Sequence, residues 1–369
     1  MVCGLGVVAV ARTQEDARNG LPRLSTLHHI RETLVSWDGY WYLELAKNGY
    51  PSVVPPDVTY FMVEARAAFF PIFPLIVRWT DAALPGGLAD AALIANFILG
   101  AAAVLAIGAL THRLYGEHIA IVAMVVFAMF PGSFVLSMAY SEAIMITCSA
   151  LALRWLINER WLLAGIAGAI ATATRPNALA LVLACLAAVW MHRSQRRNLA
   201  GAALAGALTA AGFLATQLFI SQTAHEGGVW FRIQREAWSE GLSFGIDTLR
   251  LVGEWVSSPL GSPTRALTAA STVIIVVGLW SMRKARLHPI VSWYTIGVVG
   301  LMVSASTTTP RPRFLLTAFG LLIAISAYWT QRSPRSRDAS RVIELVVAGC
   351  CGAALVTVTA IYGLLGAIP

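Results

Sequence analysis

Charge is what this chain has least of. Acidic and basic residues fill 12% of its 369 positions, against about 25% in soluble domains. So few charges cannot solvate the outside of a water-soluble protein of this length. Lysine is nearly missing too, present only as Lys47 and Lys284. The five cysteines (Cys3, Cys148, Cys185, Cys350 and Cys351) form no CxxC pair and lie in apolar stretches, so they read as small buried hydrophobes. No DxD, Walker A, GxGxxG or HExxH motif occurs. A nucleotide-sugar donor, an ATP motor and a metal site are therefore unsupported.

What is present is apolar. Hydrophobic residues make up 57% of the chain, and mean hydropathy is +0.68. Runs near the roughly 20 residues that cross a bilayer as a helix recur at 88–110, 117–134, 140–157, 159–174, 176–191, 198–220, 263–281, 288–306, 312–330 and 341–365. The expected fold class is an all-α polytopic integral membrane protein, one membrane domain over residues 1–369, with about 10–11 transmembrane helices. Residues 1–10 are apolar but too short to span, and are expected to be a truncated first helix.

Net charge is +8, but its distribution argues against a nucleic-acid partner. The connections at 111–113, 158–160, 192–197, 283–286 and 331–337 hold most of the loop arginines, which makes them cytoplasmic by the positive-inside bias. By alternation, the polar motifs at 131–142, 175–177 and 307–313 face the other side. The long segments 36–87 and 221–262 join them as the first and second outer loops. In the first, the apolar stretch 67–79 is interrupted by Pro71 and Pro74 and contains Arg78, which suits a helix lying in the interface.

On that outer face several residues could carry chemistry. In a helix beginning near Ser36, Asp38 and Tyr42 share a face, and Trp37, Trp41 and Leu45 form an apolar stripe for lying on a membrane surface. A carboxylate there can take a proton from a substrate, or simply favour a helix start. Glu142, beside Tyr140, stands at the outer end of an apolar run; such a group lines a cavity or marks a helix N-terminus at the water boundary. Arg175, Arg311 and Arg313 break the positive-inside pattern, and each flanks a proline. They can grip phosphate oxygens or snorkel to headgroups. In the second loop Trp230, Phe231, Gln234 and Trp238 recur at helical spacing, suiting sugar and lipid packing or another interfacial helix.

Taken in order, these residues resemble a known family. The stretches are Trp37-Asp38-Gly39-Tyr40-Trp41-Tyr42 with Ala46-Lys47-Asn48-Gly49-Tyr50, then Phe70-Pro71-Ile72-Phe73-Pro74. Phe130-Pro131-Gly132-Ser133 follows, leading to Tyr140-Ser141-Glu142, and then Thr174-Arg175-Pro176-Asn177. Phe231, Gln234, Trp238 and Arg313-Phe314 match more weakly. The pattern covers roughly residues 36–330 and is similar to the PIG-V family, the GPI mannosyltransferase II-like proteins and their bacterial relatives. The resemblance implies a GT-C-type bundle and a polyprenyl-phosphate mannose donor. It further implies inverting transfer to a glycolipid or protein hydroxyl on the extracytoplasmic face of the cell membrane. It makes Asp38 the base. Arg175, with Arg313 or Arg311, would neutralise the departing phosphate, and Tyr42, Tyr140, Glu142, Asn177, Gln234 and Trp238 would position substrates. No metal or cofactor is implied, because the donor is already a phosphate ester. A lipid or solute transporter using the same outer cavity is the alternative; against it, no internal repeat is evident.

Overall fold

The computed structural model describes residues 25–332 and 337–364, with positions 4, 6–8, 10 and 13; in the last helix side chains are described over 346–362. Half of the expected helix at 1–10 falls outside these residues, as do Cys3 and the connection at 333–336. Two helices open the described chain, α1 (Thr26–Leu34) and the aromatic α2 (Asp38–Asn48). A 3-10 turn at Val63–Ala68 and α3 (Ile72–Ala83) complete the first long segment. A bundle follows: α4 (Leu88–Tyr115), α5 (Glu117–Met129), α6 (Glu142–Ile157), α7 (Trp161–Thr172), α8 (Ala180–Met191) and α9 (Arg196–Thr223). The second long segment folds as α10 (Val229–Trp238) and α11 (Ile246–Ser257). The last helices are α12 (Pro263–Lys284), α13 (Pro289–Ser304), α14 (Pro312–Thr317), α15 (Gly320–Arg332) and α16 (Arg337–Leu364). Among the described residues the only β-pairing is one bridge, Leu242 to Ala305.

Every apolar run contains a helix, so the all-α membrane-protein architecture stands. Among the described residues only α4, α9 and α12 are long and apolar enough to cross a bilayer alone. A fourth crossing forms if α5 is joined to the 3-10 turn Pro131–Ser137, from which it is bent by 78°. The other runs are shortened for a shared reason. Helical backbone stops at Phe130, at Ala173 and at Ser304, and each restart follows a proline or a polar turn (Pro131, Pro176, Pro312), where a missing N–H costs nothing. Non-helical backbone at membrane depth is tolerated where protein buries it or a cavity borders it. The three breaks lie where the polar motifs are.

Glycine lets two of these breaks meet. Gly132, in the 131–137 turn, sits so close to Pro312 that an added Cβ would strike the Pro312 carbonyl oxygen and lie 3.0 Å from the Arg313 nitrogen. Gly39 likewise admits residue 139, whose Cβ lies 3.3 Å from where a Gly39 Cβ would be. Ala139 donates its N–H to the Leu34 carbonyl at 3.0 Å. Elsewhere small residues bring helices into backbone contact, as at α7 and α9, where Thr172 Oγ1 donates to the Thr209 carbonyl at 2.7 Å.

The first long segment differs from expectation in two respects. The stripe Trp37, Trp41 and Leu45 does not lie on a membrane surface. Trp41 and Leu45 are buried against protein, with Trp41 beside Tyr60, Phe69 and Trp238 at ring separations of 5.5–6.3 Å, and Trp37 packs against Tyr362. Pro71 and Pro74 do not interrupt a helix. Pro71 precedes α3 and Pro74 sits in its first turn, leaving Phe73 and Val77 inward and Arg78 and Trp79 exposed. The second long segment covers the first: Trp230 Nε1 donates to the Ala68 carbonyl at 2.9 Å. Arg232 commits all five of its N–H donors there, to both oxygens of Glu226, to Glu236, and to the carbonyls of Val54 and Pro55.

Candidate active site

Asp38 is the first residue of α2, preceded by Trp37 at φ 58° with no side-chain cap. A positive φ at a bulky residue is strained backbone. Here it turns the chain so that the Asp38 carboxylate points inward. The strained turn is braced from α16, where the Tyr362 hydroxyl donates to the Ser36 carbonyl at 3.3 Å. Tyr362 and Tyr140 also share a hydroxyl contact.

Facing Asp38 is Arg313, from the first turn of α14. It is 2% exposed. Its Nη2 pairs with Asp38 Oδ2, and its Nε donates to Glu142 Oε1 at 2.6 Å. The Tyr140 ring lies under the guanidinium, 4.4 Å from centroid to Cζ. Glu142 opens α6 and is 1% exposed. Its Oε1 also receives Arg175 Nη1 at 3.1 Å, whereas its Oε2 is buried with no hydrogen-bond partner. Arg175 Nη1 reaches Ser141 Oγ at 3.1 Å, and Ser141 Oγ lies 2.5 Å from the Tyr42 hydroxyl. Two acids and two arginines thus form a charge-balanced cluster drawn from four separate stretches. Removing one member of such a buried set costs roughly 3–5 kcal/mol.

Electrostatics fixes the state of the two α2 groups. Burial opposes ionisation of Asp38, but Arg313, with Arg175 beyond it, outweighs burial and holds the carboxyl below its usual range. Asp38 is a carboxylate at neutral pH. Burial pushes the Tyr42 hydroxyl up to about 12, so it stays protonated.

Asp38 and Arg313 lie at the inner end of a cavity of about 920 Å³. Seven of the ten residues singled out from the sequence line it: Asp38, Tyr42, Arg175, Gln234, Trp238, Arg311 and Arg313. The other three stand behind its wall. Tyr140 supports Arg313, and Glu142 holds the two arginines. Asn177 Nδ2 donates to Thr317 Oγ1 at 3.2 Å, tying the turn after Arg175 to α14. None of these three lines the cavity.

No protein-family model matches the chain, and no curated protein sequence does. Solved structures do. The chain superposes on ArnT from Cupriavidus metallidurans bound to undecaprenyl phosphate with a TM-score of 0.56 at 14% identity, over 94% of this chain and 63% of that one. It superposes on the Archaeoglobus fulgidus oligosaccharyltransferase, in a complex with zinc and sulfate, with a TM-score of 0.55 at 12% identity, over 98% of this chain and 53% of that one. It shares their fold. It spans less than two thirds of their length.

The cavity wall also holds residues the sequence did not single out, among them Glu240 and Arg235. Glu240, just after α10, accepts from the backbone N–H of Gly241, Ser306, Thr307 and Thr308 and from the hydroxyls of Ser306, Thr307 and Thr308. It ties the second long segment to the 305–308 turn that leads to Arg311. Burial works against its charge, and these donors, the Thr307 hydroxyl foremost, hold it below the ordinary carboxylate value. The run Ser306-Thr307-Thr308-Thr309 was the available signal, since such a cluster of donors needs an acceptor. Arg235 reaches the cavity from α10 and is exposed. Among the described residues, no group of three or more His, Cys, Asp or Glu comes together.

Proposed function

We propose that the chain is a membrane mannosyltransferase acting on the extracytoplasmic face. It moves mannose from a polyprenyl-phosphate donor to an acceptor hydroxyl, with inversion at the anomeric carbon. One observation carries the reading: an ionised, inward-pointing Asp38 shares a cavity of about 920 Å³ with Arg175, Arg311 and Arg313. The fold shared with a protein seen with undecaprenyl phosphate supports the donor class. Mannose rests on the resemblance of the motifs.

In this reading Asp38 accepts the proton of the acceptor hydroxyl. The oxygen forms its bond to the anomeric carbon as the bond from that carbon to the phosphate oxygen breaks on the opposite face. The phosphate leaves with the electron pair, and Arg175 and Arg311, both on the wall, stabilise its charge. Arg313 is buried and already engaged by two acids, so it sets the carboxylates. Tyr42, Gln234 and Trp238 shape the sugar and acceptor side. Glu142, Tyr140 and Asn177 act through the residues they hold. The first and second long segments form the outer roof over the bundle.

The test replaces Asp38 with asparagine and measures transfer from polyprenyl-phosphate mannose in membranes holding equal amounts of each protein. General-base removal costs about 10²–10⁴-fold. Transfer at the wild-type rate would overturn the role of Asp38.

A further inference from the structure

The side of a guanidinium that carries Nε and Nη2 is built to bind both oxygens of one carboxylate. Arg313 divides that pair of donors between two acids. Its Nε goes to Glu142 Oε1 and its Nη2 to Asp38 Oδ2. Glu142 meanwhile presents a lopsided carboxylate. Its Oε1 is shared by Arg313 and Arg175, and its Oε2, in a residue 1% exposed, has no hydrogen-bond partner. The empty oxygen belongs to the acid that already holds half of the Arg313 fork.

We infer that Arg313 exchanges partners during turnover: an anionic phosphate drawing Arg175 from Glu142 lets the Arg313 Nη2 turn from Asp38 to Glu142 Oε2, which releases Asp38 to act as base. The inference rests on the proposed role of Asp38. The order of events follows from burial. Both members of the pair on Glu142 Oε1 line the cavity, and Arg175 is the more exposed, at 15% against 2% for Arg313. An arriving anion reaches it first. Glu142 cannot replace the lost donor with water at its exposure, so its charge draws the nearest guanidinium into a two-bond pair. Asp38, relieved of Arg313, becomes a stronger proton acceptor at the moment the donor phosphate is in place. Glu142 is then a positioning residue, acting through Arg313 on Asp38. The exchange moves no covalent bond and needs no further reactant.

The experiment separates binding from turnover. Glu142→Gln keeps the shape but removes the charge. Arg175 is then freer to meet phosphate, so polyprenyl phosphate binds as tightly as to wild type or tighter. Arg313 has no charged second partner and stays on Asp38, so kcat falls at least tenfold. Opposed effects on binding and kcat are not expected from a merely structural residue. Arg313→Lys, a point charge without a fork, keeps binding within about threefold and also loses at least tenfold in kcat. It serves as the decisive variant if Glu142→Gln is not recovered from membranes. Wild-type kcat in either variant overturns the exchange, and so does a parallel loss of binding and kcat. Asp38→Asn distinguishes the layers. If it is inactive while Glu142→Gln is fully active, the base reading survives and the exchange fails; if it is active, the base reading itself fails.

Discussion

Gly132 touches no substrate in this account, yet its replacement should disable the site. An alanine Cβ at 132 would collide with the Pro312 carbonyl oxygen, lie 2.5 Å from the Pro312 carbonyl carbon and stand 3.0 Å from the Arg313 nitrogen. All three are backbone atoms, so no side chain can swing aside. Ordinary contact between such atoms begins near 3.4 Å, and the turn at 131–137 must part from α14 by about 1 Å. Overpacking of this kind costs roughly 1–3 kcal/mol. The larger effect is on catalysis. Arg313 moves with Pro312, away from Asp38 and Glu142, and a displacement of about 1 Å in an oriented site costs on the order of 100-fold in rate. The assay compares Gly132→Ala with Gly253→Ala, a helical glycine with nothing within 4 Å of a new Cβ. The control should gain about 0.5–1 kcal/mol in stability from helix propensity and keep full transfer. Gly132→Ala with wild-type transfer and an unchanged Tm would refute the argument that this contact sets the position of Arg313.

Two more outcomes follow from the roof of the cavity. Arg232→Ala removes five hydrogen bonds from partly exposed partners; discounted for solvent, the loss is about 2–3 kcal/mol, read as faster hydrogen exchange at the Val58 amide, which donates to Glu236, and unchanged exchange there would count against it. Glu240 has a depressed carboxyl, so its latch is intact above the ordinary value of 4.5 and is lost as pH falls through the lower folded-state value. Protection of the Gly241, Ser306, Thr307 and Thr308 amides, corrected for intrinsic exchange, should decline on acidification in wild type. In Glu240→Gln it should be low at every pH, and protection equal to wild type would show that the charge does not hold the latch.

Much of the site was legible because its pieces are local. Asp38 and Tyr42 share a face by helical spacing alone, and both line the cavity. Arg175 and Arg311 stood out because arginines beside prolines broke the charge asymmetry of the loops. What could not be read was pairing across distance. Asp38 and Arg313 are 275 residues apart, and nothing in either motif says that the arginine bridges two acids instead of lying open to a ligand. Glu142 looked like a cavity carboxylate, but its neighbours cover it. The apolar stripe on α2 was found by its periodicity, and periodicity cannot say whether lipid or protein covers it; Trp238 does, from the second long segment. The spans were located by hydropathy, and the breaks before Pro176 and Pro312 fell between expected runs, but the break at Phe130 was not read, because a helix that stops early for a proline keeps its apolar composition on both sides.

The separation of Asp38 from Arg313 also has a consequence for how the protein is made. The acid emerges 275 residues before its counter-charge. Until α14 is in place Glu142 has Arg175 alone and Asp38 lacks Arg313, and a carboxylate without its counter-charge favours the water boundary. The start of α2 is therefore expected to stay at the surface until α14 arrives. Closing the charge cluster is a late step of assembly, and a chain stalled before residue 313 would hold an acid with nothing to aim it.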